Sequence, residues 1–367
     1  MTESGDDARP ADPYAPMTPG WANRTPLLLG LIFVMQMAFI WSYVGALHEP
    51  DPVHVPFGVV APEAVFTALQ QQVGDQTDAV TLVSVPSADQ ARSDVEDGTL
   101  PGAVVIGGSG ANLDTLIVTE VPSIAYESLF REVLDTIDDT LAAKDPSAAR
   151  GYSIDKVNPF DPGDPKGLAP FYLAIGWVVG GYLLVAFFGF TQRHVHGWDG
   201  LLRRFGVLVG YALASGIGGA LIIGPLLGAF GGHFWAVAAL GATLSLAVCV
   251  SVQAVELLAG PIYGTGLAII AFVVLGNPSA GGPFPRSFMP AFWDHIGAWL
   301  PPGIGTDGLR GVVYDSGAMG PVVARLIGYI VIGALVCVAG TAMLVRRDRH
   351  DASEEPAGRD IPSAAPT

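Results

Sequence analysis

Long apolar segments constrain this chain more than any other feature. Crossing the hydrocarbon core of a bilayer takes about 20 predominantly apolar residues in a helix. Only 14% of the residues are charged, against about 25% in soluble domains. The sequence therefore predicts an α-helical integral membrane protein with six transmembrane helices, of which the fifth is short. The predicted spans are 26–47, 168–190, 205–230, 234–258, 262–275 and 322–345.

Basic residues in the short connections predict the orientation, because Lys and Arg concentrate on the cytoplasmic side. Nine lie in the regions that six spans place on one side, and only Arg286 and Arg310 lie in the short connections opposite. The first span is too long for the apolar region of a signal peptide, and no small-residue cleavage site follows it. We therefore predict a multi-pass plasma-membrane protein with both termini cytoplasmic. The nine basic residues are Arg9, Arg24, Arg193, Arg203, Arg204, Arg346, Arg347, Arg349 and Arg359.

Residues 48–167 are predicted to form a small extracytoplasmic α/β domain between the first and second spans. This region holds 20 of the 34 acidic residues and six basic ones, so it carries nearly all of the net charge of −16. That charge argues against nucleic acid as a partner. Both cysteines, Cys249 and Cys337, fall in apolar segments, so no disulfide framework is predicted for this domain.

Short apolar runs and helical periodicity predict the elements of this domain. Four strands are expected at 56–60, 79–85, 102–106 and 114–118, with helices after the first two. Ser87 followed by Gln90 predicts a capping box. A long amphipathic helix is predicted from Phe130, Val133, Leu134, Ile137 and Leu141, which share one face. Residues 1–25 and 346–367 are predicted to be disordered cytoplasmic tails.

The last external connection, 277–320, is long, aromatic and apolar. A solvated loop has a different composition, so the segment is expected either at the headgroup interface or as a re-entrant pair of half-helices facing protein or a cavity. Asp307 and Arg310, three residues apart, predict a surface ion pair.

Two polar side chains, Gln253 and Glu256, lie in the fourth span. Ionisable residues within spans are functional candidates. Glu256 is two residues from the end of the span, however, which favours a carboxylate that reaches water over a buried one. The Gly-rich run at 216–224 predicts close helix packing, and a translocation path is the alternative.

Sequence motifs for enzyme chemistry are absent. The chain has three lysines, none in a G-x-x-x-x-G-K-[ST] phosphate loop, and it has neither a G-x-S-x-G nor an H-E-x-x-H motif. The histidines lack cysteines or carboxylates at ligand spacing. No catalytic residue, cofactor site or metal site is therefore predicted, and ATP is expected to act only through a partner subunit.

The predicted layout and the 276–314 segment together resemble a known family. One span, an external α/β domain and five further spans are the plan of ABC-type-2 transporter permeases and of the related phage-infection-protein-like (Pip) membrane proteins. The distinctive part is a Gly-Asn-Pro-x-x-Gly-Gly turn, a Pro-aromatic-Trp segment, a Leu-Pro-Pro-Gly turn, and Arg then Tyr before the last span. The residues singled out in it are Asn277, Pro278, Gly281, Gly282, Trp293, Pro301, Pro302, Asp307, Arg310 and Tyr314.

This resemblance implies a permease subunit of an ABC-type exporter, a homodimer or a heterodimer with a second permease, in contact with membrane lipids. It implies coupling to a separate cytoplasmic P-loop ATPase that drives a hydrophobic or amphipathic substrate outward. The coupling segment is then 191–205, with Arg193, Trp198, Arg203 and Arg204 in contact with the ATPase. The orientation bias alone also explains these arginines. The alternative function is a non-ABC scaffold or receptor-like protein that binds envelope or secretion partners through its outer domain.

Overall fold

The computed structural model describes residues 25–47, 50–110, 113–144, 150–191, 197–315 and 318–354. This part of the chain is mostly helical, with one small mixed sheet. The first half contains helix α1, Thr25–Leu47, and then β1 Val55–Val60, α2 Glu63–Gly74, β2 Val80–Ser84, α3 Ala88–Glu96, β3 Gly102–Gly110, β4 Leu113–Thr119, α4 Ala125–Lys144 and β5 Gly151–Val157. The second half contains α5 Ala169–Thr191, α6 Gly197–Leu221, α7 Phe234–Ala259, α8 Pro261–Ala268, α9 Ala291–Gly297, α10 Pro301–Tyr314 and α11 Met319–Glu354.

Four helical segments in the described part are long and apolar enough to cross a membrane: Ala169–Gly189, Gly197–Leu226, Phe234–Ala259 and Met319–Arg346. Two shorter apolar helices, Phe33–Leu47 and Pro261–Leu275, accompany them. A π-helical stretch continues each of the helices α6 and α8, at Ile222–Leu226 and Ile269–Leu275 respectively. The structure thus confirms a helical membrane protein with a small α/β region, and the count of six spans stays a prediction.

Two helices extend beyond the predicted boundaries. Helix α6 begins at Gly197, so residues 197–204 are helix and not part of a long loop. Helix α11 continues to Glu354, so the prediction of disorder was wrong for 346–354. Residues 346–354 contain no proline or glycine, so nothing in them stops the helix. The rest of the two predicted tails, 1–24 and 355–367, lies outside the described residues.

The five-stranded sheet has the order β2-β1-β3-β4-β5. Strands β1 and β2, β1 and β3, and β4 and β5 are parallel, whereas β3 and β4 are antiparallel. Apolar residues on both faces explain the layering. Helices α2 and α4 cover one face around Phe57 and Phe130, whose rings stack at 4.3 Å. Helix α3 covers the other face with Ala91 and Val95. Residues 55–157 are called the sheet unit below.

The four predicted strands and the amphipathic helix are all present in the sheet unit. Ser87 accepts a hydrogen bond from the Gln90 backbone at 3.2 Å, so it caps α3. The Gln90 side chain instead contacts Asp94 at 2.7 Å, so the box is not reciprocal. Strand β5, Gly151–Val157, was not predicted. It pairs with β4 alone at the sheet edge, and its polar residues give it little apolar signal.

The membrane helices pack closely at glycines. The Trp177 indole of α5 lies against Gly219 of α6 and Gly241 of α7, and its Nε1 donates to the Ser215 carbonyl at 2.9 Å. Gly216 lies against the backbone of Ala238. The predicted role of the Gly-rich run in helix packing is therefore confirmed.

Two glycines of this run give a matched test of packing. A Cβ added at Gly219 would lie 2.6 Å from Trp177 Nε1, whereas one added at Gly218 has nothing within 4 Å. We expect Gly219→Ala to destabilise the protein by about 1–3 kcal/mol through overpacking. Gly218→Ala is expected to be neutral or stabilising, because alanine favours helix. Thermal unfolding in detergent measures both, and equal midpoints for the two variants would contradict this packing.

Candidate functional site

The segment 277–314 folds as short helices packed inside the protein. Two 3-10 turns, Pro278–Ala280 and Arg286–Phe288, precede α9 and α10. Helix α10 is buried along most of its length, with Gly305 against Ala174 of α5 and Leu244 of α7. Two placements were predicted for the segment, the headgroup interface and a position facing protein. Helix α10 faces protein, whereas Phe292 and Trp299 remain exposed. The distinctive sequence of the segment thus builds an internal structural element.

Arg310 holds the glycine turn of this segment. Its Nη2 donates to the carbonyls of Gly281 and Gly282 at 2.7 and 3.3 Å. Gly281 has φ +71°, a left-handed conformation that glycine adopts without strain. Burial lowers the pKa of Arg310 to about 10, so the guanidinium stays charged at neutral pH. Arg310 is therefore a buried cation that organises backbone carbonyls.

The prediction of a surface ion pair between Asp307 and Arg310 was wrong. Asp307 instead accepts from Arg286 Nη1 at 2.5 Å. The glycine turn brings Arg286 next to α10, while Arg310 points to the carbonyls of that same turn. Arg286 also has a second acidic neighbour, because Asp294 lies 3.6 Å from its Nε.

The other motif residues position neighbouring elements. Trp293 is buried and its ring lies 5.6 Å from that of Trp41 on α1. The Tyr314 ring meets Phe160 and Phe230 edge to face at 6.0 and 6.3 Å. The remaining motif residues, Asn277, Pro278, Gly282, Pro301 and Pro302, are buried.

The sheet unit is attached to this segment through direct contacts. Ser123 donates to the Pro283 carbonyl at 3.1 Å, and the Tyr126 hydroxyl lies 3.0 Å from Ser287 Oγ. Phe288 is buried in the same cluster as the sheet and meets Tyr126 edge to face at 5.4 Å. The segment therefore joins the core of the sheet unit to the membrane helices, and sequence reasoning gave no signal for this joint.

A cavity of about 440 Å³ lies at the joint between the sheet unit and the helices. Its charged lining residues are Arg286, Asp307, Arg310 and Arg325, and the other lining residues are uncharged. Three arginines against one aspartate give the lining a formal charge of +2. The cavity is thus cationic, although the sheet unit above it is strongly acidic.

An apolar groove of about 760 Å³ adjoins this cavity between α7 and α11. Pro321 and Arg325 line both spaces. The polar side chains in the groove are engaged with backbone, since Tyr329 donates to the Trp299 carbonyl at 2.9 Å and Ser251 to Ala247 at 2.7 Å. Arg325 donates to the Ala298 carbonyl at 2.8 Å, with its guanidinium 4.9 Å from the Trp299 ring centre. The two spaces together are apolar along the helices and cationic at the sheet unit.

Glu256 is buried, so the prediction that it reaches water was wrong. It accepts from Thr265 Oγ1 at 2.8 Å and lies 3.9 Å from Arg204 Nη2. The chain reverses at Gly260, with φ +83°, and α8 packs back on α7 so closely that a Cβ at Gly264 would meet the Glu256 backbone. The neighbouring Gln253 is also buried, and its Oε1 has no hydrogen-bond partner among the described residues.

The four residues predicted to contact an ATPase have different environments. Trp198 and Arg203 are exposed on the first turns of α6. The Arg204 side chain is only 11% exposed and faces Glu256 and the Phe188 ring, so it does not belong to an accessible surface. Arg193 lies outside the described residues.

Comparisons with known proteins give a distant similarity. The chain is 27% identical over 220 residues to the uncharacterized protein YhgE of Bacillus subtilis (strain 168). The match covers 58% of this chain and 27% of that protein, so this chain spans about a quarter of its relative's length. No protein-family model matches the chain. No solved structure matches it.

Proposed function

We propose that this chain is a permease subunit that moves a hydrophobic or amphipathic substrate outward across the plasma membrane. It crosses the bilayer six times, with both termini cytoplasmic and the sheet unit outside, and it works as a homodimer or as a heterodimer with a second permease. The observation that carries the proposal is the pair of adjoining spaces between the helices and below the sheet unit. A transporter of amphiphiles needs such an apolar surface next to a polar compartment.

A separate cytoplasmic P-loop ATPase supplies the energy in this proposal, since the chain has no phosphate-binding loop of its own. Trp198 and Arg203 form the exposed contact surface at the start of α6. Arg204, next in the chain, faces Glu256 at the turn between α7 and α8. A movement of α6 at the contact surface is therefore transmitted through Arg204 and Glu256 to α7, which lines the groove. The internal contact of Arg204 supports a role in transmission and not in docking.

Affinity purification from native membranes tests the proposal. The full chain is captured in mild detergent, and copurifying proteins are quantified by mass spectrometry. We expect a P-loop ATPase in near-equal amount, reduced at least about fivefold in a Trp198→Ala, Arg203→Ala variant, because aromatic and arginine contacts dominate interface energies. Arg346→Ala is the matched control, an exposed arginine on the same predicted side.

Two results would contradict the permease proposal. One is the absence of any ATPase from the purified material. The other is the recovery of envelope or secretion proteins that are lost when the sheet unit is altered but not when α6 is altered. The second result would establish the scaffold or receptor-like alternative.

A further inference from the structure

We infer that the groove and cavity bind an anionic acyl lipid, with its chain along α7 and α11 and its headgroup beside Arg325 and Arg310. This inference rests on the proposed function, because it names the substrate class of the same site. The occupant enters from the bilayer through the open side of the groove, where Leu258, Ile332 and Trp299 are exposed.

The charges of the cavity favour an anion. The basic residues Arg92, Arg131, Arg150 and Lys156 of the sheet unit are each paired with a carboxylate. By contrast, Arg310 and Arg325 contact backbone carbonyls and form no ion pair among the described residues. The buried Nε of Arg310 also has no hydrogen-bond partner in that part of the chain. Guanidinium groups that lack carboxylate partners suit a phosphate or carboxylate headgroup.

The groove has the dimensions and chemistry of an acyl-chain site. Its lining on α11 runs from Pro321 to Val336, which corresponds to roughly 22 Å along the helix axis. That length exceeds the roughly 15 Å of hydrocarbon in one leaflet. Among the described residues, none that lines the groove is acidic, and Arg325 at one end is the charged one. A chain lying in it therefore places its polar end at the cationic cavity.

Charge complementarity distinguishes this occupant from a neutral one. A second protein copy would need an acidic group opposite Arg325 within an apolar helix face, and the groove-lining faces of α7 and α11 carry no such group. A neutral lipid would leave the net positive charge of the cavity lining unbalanced. One molecule of an anionic acyl lipid matches both spaces, with its acyl chain in the apolar groove and its headgroup in the cationic cavity.

Equilibrium binding of radiolabelled palmitoyl lysophosphatidate to the purified full chain in an uncharged detergent tests the inference. The neutral analogue monopalmitoylglycerol and the headgroup alone, glycerol phosphate, are measured beside it. We expect Arg325→Gln to weaken lysophosphatidate binding about ten- to hundredfold, the loss typical of a hydrogen bond to a charged group. Gly328→Phe is expected to weaken it at least tenfold, because Gly328 lines the groove and has open space for a side chain.

Two matched controls show whether the losses are specific. Arg131→Gln removes an arginine paired with Glu127 away from the cavity. Gly320→Phe makes the same change as Gly328→Phe on the same helix, also in open space but outside the groove. Both controls are expected to bind lysophosphatidate like the unaltered protein, and all variants are compared after their thermal unfolding midpoints are shown to match.

Several outcomes would overturn the inference. Equal binding of monopalmitoylglycerol would show that the headgroup charge is irrelevant, and equal binding of glycerol phosphate would show a phosphate site without a lipid. Unchanged affinity in Arg325→Gln and Gly328→Phe would place the lipid elsewhere. By contrast, specific lipid binding without a copurifying ATPase would support the lipid site and contradict only the permease proposal. An ATPase without lipid binding would leave a permease for another substrate.

Discussion

Replacing Arg310 by methionine is expected to destabilise the protein by about 3 kcal/mol and to loosen the sheet unit from the helices. Methionine keeps an unbranched apolar side chain that fills irregular space well, and it removes the guanidinium with its hydrogen bonds. Hydrogen bonds to a charged group contribute about 1.5–3 kcal/mol, and a buried carbonyl left without a donor costs about 1–3 kcal/mol. Both Gly281 and Gly282 are buried, so their carbonyls lose a charged donor inside the protein.

Thermal unfolding in detergent measures the loss of stability, and limited chymotrypsin digestion measures the loosening. We expect faster cleavage after Phe288, because this residue follows the turn that Arg310 holds and contacts the sheet unit. The stability and the cleavage rate of Arg310→Lys are expected to lie between those of the unaltered protein and those of Arg310→Met. An ammonium retains the positive charge but not the planar set of donors of a guanidinium. Arg131→Met is the control, a solvent-exposed arginine that pairs with Glu127 on α4. An Arg310→Met variant with an unchanged unfolding midpoint and cleavage rate would show that the hydrogen bonds from Arg310 to the glycine turn are dispensable.

Residues with local signals were predictable from the sequence. Helix α7 spans Phe234–Ala259 against a predicted 234–258, because length and apolar composition alone mark such a helix. The apolar stripe of Phe130, Val133 and Leu134 is buried as periodicity predicts. The first four strands have apolar runs of their own, whereas the edge strand β5 depends on pairing with β4 and was missed.

The contacts that build the candidate site were not predictable, because they join residues far apart in the sequence. Arg310 has Asp307 three positions away, yet it contacts Gly281, 29 positions away. The burial of Glu256 depends on the reversal at Gly260 and on the side chain of Arg204 from another helix. The ATPase surface at Trp198 and Arg203 stays a prediction, since exposure alone does not identify a partner.

The second large effect is expected at Glu256. Replacing it by leucine leaves the Arg204 guanidinium in a buried site without its counter-charge. Removing one partner of a buried pair typically costs about 3–5 kcal/mol. The closest approach of Arg204 to Glu256 is 3.9 Å, so we expect the lower part of that range, about 3 kcal/mol. Thermal unfolding of the purified protein gives the value.

A double-mutant cycle separates the ion pair from the packing around it. Arg204→Met alone is expected to cost less than Glu256→Leu, because Thr265 still donates to the remaining carboxylate at 2.8 Å. The combined variant is expected to be more stable than the sum of the two single changes predicts, by about 1–3 kcal/mol, since residues in contact are coupled. Strict additivity would show that Arg204 and Glu256 act independently, and α6 would then have no direct electrostatic link to the turn between α7 and α8. Coupling together with loss of the ATPase in the combined variant would instead connect this buried pair to the transmission that the permease proposal requires.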